Sequence, residues 1–140
     1  MKDDDVVEMT LDECWEMLRT AGLGRLAFRI VDEVYITPVN FVVDDRTILF
    51  RTAEGTKLLA AEMGTQVAFE VDDIGAGIAR SVVVRGTAER LPEDQADWAD
   101  LFDLSPWIVA PPKYDVVEIC PEVVTGRIFR LAPGAGQAAS

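Results

Sequence analysis

Two cations and a hydroxyl lie close together near the middle of the chain, in the stretch FRTAEGTKLLAAEMG, residues 50–64. Arg51 ends a run with strand character, and Thr56 and Lys57 begin a helix-forming run that stops at Gly64. A helix N-terminus offers free N–H groups and partial positive charge, to which these side chains add charge-assisted hydrogen bonds. The combination predicts a phosphate-binding corner.

The same corner also has a purely structural interpretation. A solvent-facing lysine and arginine beside an ordinary helix cap give the same local pattern. It is not a Walker loop, because Thr56 separates Gly55 from Lys57 and the earlier glycine of that motif is missing. ATP hydrolysis therefore has no support, and on local residues alone both interpretations stay open.

Composition excludes several classes of chemistry and partner. The absence of histidine excludes His-based triads and ordinary His-ligated metal sites. A formal charge of -12 would repel nucleic acid, and no basic stripe offsets it. Apolar runs are far shorter than the roughly 18 residues of a membrane span, and the N-terminus MKDDDVVEMT is acidic where an export signal would be basic. We expect a cytoplasmic protein that binds neither nucleic acid nor membrane, with no metal site.

Local patterns predict a short amphipathic first helix, six strands and two further helices. Thr10 and Glu13 have the spacing of a capping box, and helical periodicity then continues to Gly22. The extended runs are GRLAFRIV, VYITPVNFVV, TILFRT, TQVAFEVDD, RSVVVRGTAERL and DVVEICPEVVTGRIFRL. The second and third helices are predicted over residues 56–63 and from Pro92 onwards.

The arrangement of these elements favours a barrel. Six strands with short helices between them suit a closed or nearly closed antiparallel barrel, which hides its own edges. Tight turns join the first three strands, which argues against a doubly wound parallel sheet. Pro38 lacks an N–H, so its strand should have an edge or a bulge there. We expect a mainly β domain over residues 10–131, a flexible N-terminus at residues 1–9 and a disordered tail at residues 132–140.

Five stretches, in this order, resemble the pyridoxamine 5'-phosphate oxidase-like flavoproteins, specifically the short single-domain members that bind a flavin nucleotide. They are GRLAF, PVNFVVDDRTILFRTAEGTKL, VAFEVDD, SVVVRGTAE and VTGRIFRL. The resemblance extends from about Leu11 to Leu131. It implies an FMN-binding split barrel, a six-stranded antiparallel split β-barrel with short flanking helices, which works as a homodimer with two flavins in clefts between the subunits.

The resemblance also implies which residues hold the phosphate end of the cofactor. Arg51 and Thr52 correspond by position to part of the segment that holds the ribityl chain and phosphate. Thr56 and Lys57 correspond to the rest of that segment. Ser81 corresponds to a strand position that presents a polar side chain to the same phosphate region.

Four further residues correspond to the surroundings of the flavin ring. Pro38, Val39 and Asn40 match the strand segment that borders the isoalloxazine. Trp107 matches an aromatic residue that reaches the flavin from the partner subunit. Because Trp107 lies in a proline-rich loop, both a ligand contact and simple packing fit its position.

A flavin cofactor would itself carry out hydride or electron transfer, so the chain needs no evident catalytic acid or base. We therefore assign no catalytic residue and expect an FMN-binding homodimeric oxidoreductase that acts on an unidentified small molecule. Oxidation of pyridoxamine phosphate itself is not favoured, because the chain is shorter than those enzymes and has no histidine. Two alternatives stay open: an F420-dependent reductase or F420-binding protein, and a non-catalytic flavin-binding or storage module.

Overall fold

The structure, a computed structural model, describes residues 5–52, 55, 60–61, 64–91 and 115–133. The third predicted helix and residues 134–140 of the predicted tail fall outside these ranges. The elements in chain order are β1 (Val6–Glu8), α1 (Leu11–Ala21), β2 (Leu23–Ile30), β3 (Glu33–Asp44), β4 (Thr47–Thr52), β5 (Gln66–Gly75), β6 (Ile78–Arg90) and β7 (Asp115–Arg130). The predicted predominance of strands is confirmed.

Helix α1 begins and ends where its capping residues predict. The Thr10 hydroxyl accepts a hydrogen bond from the Glu13 N–H at 3.1 Å, and Glu13 Oε1 accepts one from the Thr10 N–H at 2.8 Å. Gly22 ends the helix with φ 75°, a left-handed conformation that suits glycine. Trp15 and Leu18 on the apolar face are buried. No helix in the described ranges is long and apolar enough to cross a membrane.

The strands close into a ring. Their order is β1-β7-β4-β3-β2-β5-β6, and β6 also pairs with β7. Strands β2 to β7 therefore form a six-stranded antiparallel barrel, which confirms the predicted split barrel. Strand β1 pairs with β7 outside this ring, with Val6 opposite Phe129 and Glu8 opposite Arg127. This pairing was not predicted, and it lies in the segment that we expected to be flexible.

Alternate residues of the strands point into the barrel and form one core with α1. The inward-facing set includes Leu26, Phe28, Phe41, Phe50, Phe69, Val82 and Val84. Helix α1 packs against β7, β3 and β6. It approaches β7 closely at Gly126, where a Cβ atom would lie only 2.5 Å from Cys14 Sγ. The core thus fixes the barrel and leaves its outer face for other contacts.

Pro38 lies on an edge, as predicted. Strand β3 pairs with β2 along residues 33–40, but with β4 only along residues 41–44. Among the residues described here, the other edge of β3 beside Pro38 therefore has no strand partner. Because this edge is unpaired, the missing N–H of Pro38 removes no hydrogen bond from a ladder with β4.

The glycine cap of the second predicted helix is also confirmed. Of residues 56–63, the structure describes Ala60 and Ala61, which are helical and buried. Gly64 has φ 63° and donates its N–H to the Ala61 carbonyl at 3.2 Å, while Thr65 donates to the Ala60 carbonyl at 3.1 Å. These two bonds form a Schellman motif, which ends a helix.

Candidate functional site

Asn40 and Arg51 lie at one end of the β3–β4 hairpin. The last ladder pair at this end joins Phe41 to Phe50, and Asn40 and Arg51 are the residues that follow it on the two strands. Because Phe41 and Phe50 point into the core, Asn40 and Arg51 point to the outer face. Both side chains are half-buried, and Thr52 after them is 3% exposed. The fold thus brings these three predicted residues to one corner.

Pro38 and Val39 divide between the two faces of β3. Val39 is buried in the core, so its side chain faces away from the outer surface. Pro38 lies on the outer face in line with Asn40, two residues further along, which is about 7 Å on an extended strand. Pro38, Asn40 and Arg51 therefore share the outer face of the barrel.

A cleft of about 400 Å³ opens beside Pro38. The ladder between β2 and β5 ends where Arg25 lies opposite Glu70, whereas β5 continues to Gly75 paired with β6. The sheet splits at this point, and the volume is in the range of small-molecule pockets. The lining residues are Leu23, Gly24, Arg25, Ile36, Thr37, Pro38, Glu70, Val71 and Asp72.

The polar side of the cleft is a small charged network. Arg25 Nη2 lies 2.6 Å from Glu70 Oε1 and also contacts the Asp72 carboxylate. The Ser81 hydroxyl donates a hydrogen bond to Glu70 Oε2 at 3.3 Å. Burial raises the pKa of Glu70, the hydrogen bond with Asp72 raises it further, and Arg25 opposes both effects. Glu70 therefore holds a proton more readily than a fully solvated glutamate does.

Ser81 does not join the Arg51 corner within one chain. On β7, Ser81 lies opposite Arg127, whereas Arg51 lies opposite Val116. These two β7 positions are about 35 Å apart along an extended strand. In the other direction around the barrel, β3, β2 and β5 lie between Arg51 and Ser81. Within one chain Ser81 therefore reaches the cleft through Glu70, on the side away from Arg51.

Exposed apolar side chains border the cleft on the same outer face. Val34 is 75% exposed, Ile36 70% and Leu23 38%. Ile36 and Leu23 also line the cleft. A clustered apolar surface of this kind is typical of an interaction site.

Three of the predicted site residues, Thr56, Lys57 and Trp107, lie outside the described residues, so their assignments stay predictions. The structure also adds Arg25, Glu70 and Asp72, which no local sequence motif singles out. Their strand alternation indicates that they share the outward face. Their meeting, however, depends on which strands pair, and one sequence does not reveal that.

A second polar cluster lies on β6 and β7, away from the cleft. The ligand-type atoms of Glu89, Glu118 and Cys120 lie within 4.8 Å of one another. The Cys120 thiol donates a hydrogen bond to Glu118 at 3.3 Å. Burial, this hydrogen bond and the two nearby carboxylates raise the pKa of Cys120 to about 11. The thiol therefore keeps its proton at neutral pH.

Solved structures with the same architecture come from several bacteria. A Corynebacterium glutamicum protein provisionally named pyridoxamine 5'-phosphate oxidase is 41% identical, with a TM-score of 0.77 over 94% of this chain and 99% of its own. The FAD binding protein from Mycobacterium smegmatis is also 41% identical, with a TM-score of 0.74 over 90% and 100%. A FAD-binding protein from Mesorhizobium loti is 27% identical, with a TM-score of 0.76 over 88% and 97%.

Sequence comparison identifies relatives of the same kind. An uncharacterised protein of Mycobacterium tuberculosis is 42% identical over 93 residues, which are 66% of this chain and 84% of that protein. The profile of the pyridoxamine 5'-phosphate oxidase family matches residues 10–128, most of the barrel domain. The chain belongs to the pyridoxamine 5'-phosphate oxidase family.

Proposed function

We propose that this chain is a flavin-binding homodimer that holds FMN on the outer face of the barrel and acts as a small oxidoreductase. The position of the cleft carries the proposal. Its wall at Pro38 lies on the same strand and face as Asn40, which is the neighbour of Arg51. Family membership and the names of two FAD-binding relatives support a flavin.

The residues present fit the two ends of a flavin nucleotide. Leu23, Ile36 and Pro38 give the cleft apolar walls, which suit an aromatic ring system. Arg51 lies on the same outer face and can donate charge-assisted hydrogen bonds to a phosphate. In this proposal Thr56 and Lys57 complete the phosphate contacts.

We propose a homodimer because apolar surface beside the cleft is available to a second copy of the chain. The exposed patch of Leu23, Val34 and Ile36 offers apolar surface for such a copy. In the dimer each cleft would then be closed by the other subunit.

The bound flavin would supply hydride or electron transfer, and the chain would supply binding, orientation and exclusion of water. The apolar side chains of the cleft and a covering subunit exclude water from the ring. Arg25, Glu70 and Asp72 form the polar side of the cleft, next to the proposed ring site.

We propose FMN rather than a larger flavin nucleotide, because Arg51, Thr56 and Lys57 together match one terminal phosphate. The names of two relatives make FAD the main competitor. Releasing the bound flavin by heat and separating it by chromatography distinguishes the two. Release of FAD alone from protein expressed in cells would overturn the choice of FMN and leave flavin binding intact.

Substitution of Arg51 tests the phosphate corner. Titration of apo-protein into FMN, followed by quenching of flavin fluorescence, gives the Kd. Arg51→Gln removes a charge-assisted hydrogen bond of about 1.5–3 kcal/mol, which weakens binding by about 10- to 150-fold. Lys57→Gln should have a similar effect. Arg46→Gln is the matched control, because Arg46 lies at the other end of β4 and pairs with Asp12. An unchanged Kd for Arg51→Gln would remove Arg51 from the site.

A further inference from the structure

Three charged side chains meet at the mouth of the cleft. Arg25 lies 2.6 Å from Glu70 and also contacts Asp72. Side-chain exposures of 49% for Arg25, 30% for Glu70 and 40% for Asp72 place the cluster between the cleft and solvent. Ser81 adds a hydroxyl to Glu70 but no charge. Two carboxylates therefore share one guanidinium at this position.

The cleft consequently carries excess negative charge. One guanidinium offsets one carboxylate, and the remaining lining residues have no ionisable side chain: Leu23, Gly24, Ile36, Thr37, Pro38 and Val71. Partial burial weakens solvent screening, so a charge beside the cleft acts more strongly than one on an open surface. A ligand group that becomes anionic in the cleft meets net repulsion.

We propose that Arg25, Glu70 and Asp72 set the charge preference of the cleft, favouring an uncharged ring over an anionic one. The inference rests on the proposed flavin site. For a flavin it means that the cluster favours the oxidised ring over the reduced ring that has lost its N1 proton. The three residues thereby lower the midpoint potential of the bound cofactor.

The sign follows from the balance of electrons and protons. Full reduction takes up two electrons with one proton to give the anionic ring, or with two protons to give the neutral one. The neutral reduced ring has the same charge as the oxidised ring, so an excess carboxylate disfavours the anion specifically. Removal of one carboxylate should therefore raise the midpoint potential at a pH where the anionic reduced ring forms.

Spectroelectrochemical titration of the FMN-loaded protein at pH 8 tests this directly. Glu70→Gln and Asp72→Asn each remove one charge with little change in shape, and the second is the safer variant because Asp72 is more exposed. The control is Asp73→Asn, which removes an equal charge from the next residue of β5, on the opposite face, where Asp73 pairs with Arg80. The Kd of oxidised FMN is measured in parallel.

Each cleft variant should favour the reduced state by about three- to tenfold relative to wild type, an upward shift of about 15–30 mV for a two-electron couple. Asp73→Asn should shift the potential much less, and the Kd of oxidised FMN should stay within about twofold in all variants. Bound flavin with the same potential in wild type, Glu70→Gln and Asp72→Asn would overturn this inference alone. Failure of wild type to bind FMN would overturn the proposed function together with it.

Discussion

Gly86 is the position where the barrel tolerates an added methyl group least. An alanine Cβ there would lie 2.0 Å from the Cys120 carbonyl oxygen, 2.9 Å from its carbonyl carbon and 3.1 Å from Pro121 Cα. These atoms belong to the backbone of β7, so no side chain can rotate away. Gly86 also adjoins the register shift between β6 and β7 that follows Arg85. We therefore expect Gly86→Ala to force the two strands apart by about 1 Å, since ordinary contacts need more than 3 Å.

The cost combines overpacking and weakened strand pairing. Overpacking costs about 1–3 kcal/mol, and each weakened ladder hydrogen bond about 1 kcal/mol. We expect Gly86→Ala to lower the free energy of unfolding by about 3 kcal/mol or more, and Tm by roughly 10 °C. Urea unfolding followed by circular dichroism measures the former. Gly75→Ala is the control, because nothing lies within 4 Å of its Cβ position. Equal stability of the two variants would refute the steric reasoning.

Two further predictions concern the subunit contact and the half-buried thiol of Cys120. The Ile36 side chain beside the cleft is 70% exposed, and Ile36→Asp should shift the dimer towards monomer in sedimentation velocity. The control is Val123→Asp on β7, where the side chain is 48% exposed, and it should leave the dimer unchanged. Equal dimer fractions in the two variants would exclude the apolar patch as the subunit contact. Because the pKa of Cys120 is about 11, its alkylation by iodoacetamide at pH 8 should be at least tenfold slower in native than in unfolded protein. Between about pH 9 and about pH 11 the Cys120 thiol keeps its proton in the folded protein and loses it in the unfolded protein, so a rise in pH favours unfolding. Over this range the free energy of unfolding should fall more in wild type than in Cys120→Ala. Equal falls in the two proteins would contradict the raised pKa.

Local residues predict much of this fold because short-range physics decides those parts. Thr10, Glu13 and Gly22 cap α1 by bonds within a few residues of each other. The strand runs alternate in polarity, so their existence follows from periodicity. Pro38 lacks a donor, which restricts it to an edge whatever the topology. Strand β1 escapes prediction because three residues, Val6–Glu8, carry too little pattern, and pairing with β7 supplies their stability.

The site is predictable only in part, since it depends on long-range pairing. The neighbouring positions of Asn40 and Arg51 follow once the β3–β4 hairpin is predicted. The meeting of Arg25 with Glu70 depends on β2 and β5 being partners across a long stretch of chain. The separation of Ser81 from Arg51 depends on the closure of the ring. Neither periodicity nor capping carries that information.

The most direct test of the central claim is the absorbance spectrum of the purified protein between 300 and 500 nm, recorded after addition of excess FMN and desalting. We expect two flavin bands that persist at about one FMN per chain, and a strong loss of both in Arg51→Gln. A featureless spectrum after reconstitution with FMN, and again with FAD, would contradict flavin binding. The deazaflavin F420 would then be the next ligand to titrate against the cleft beside Pro38.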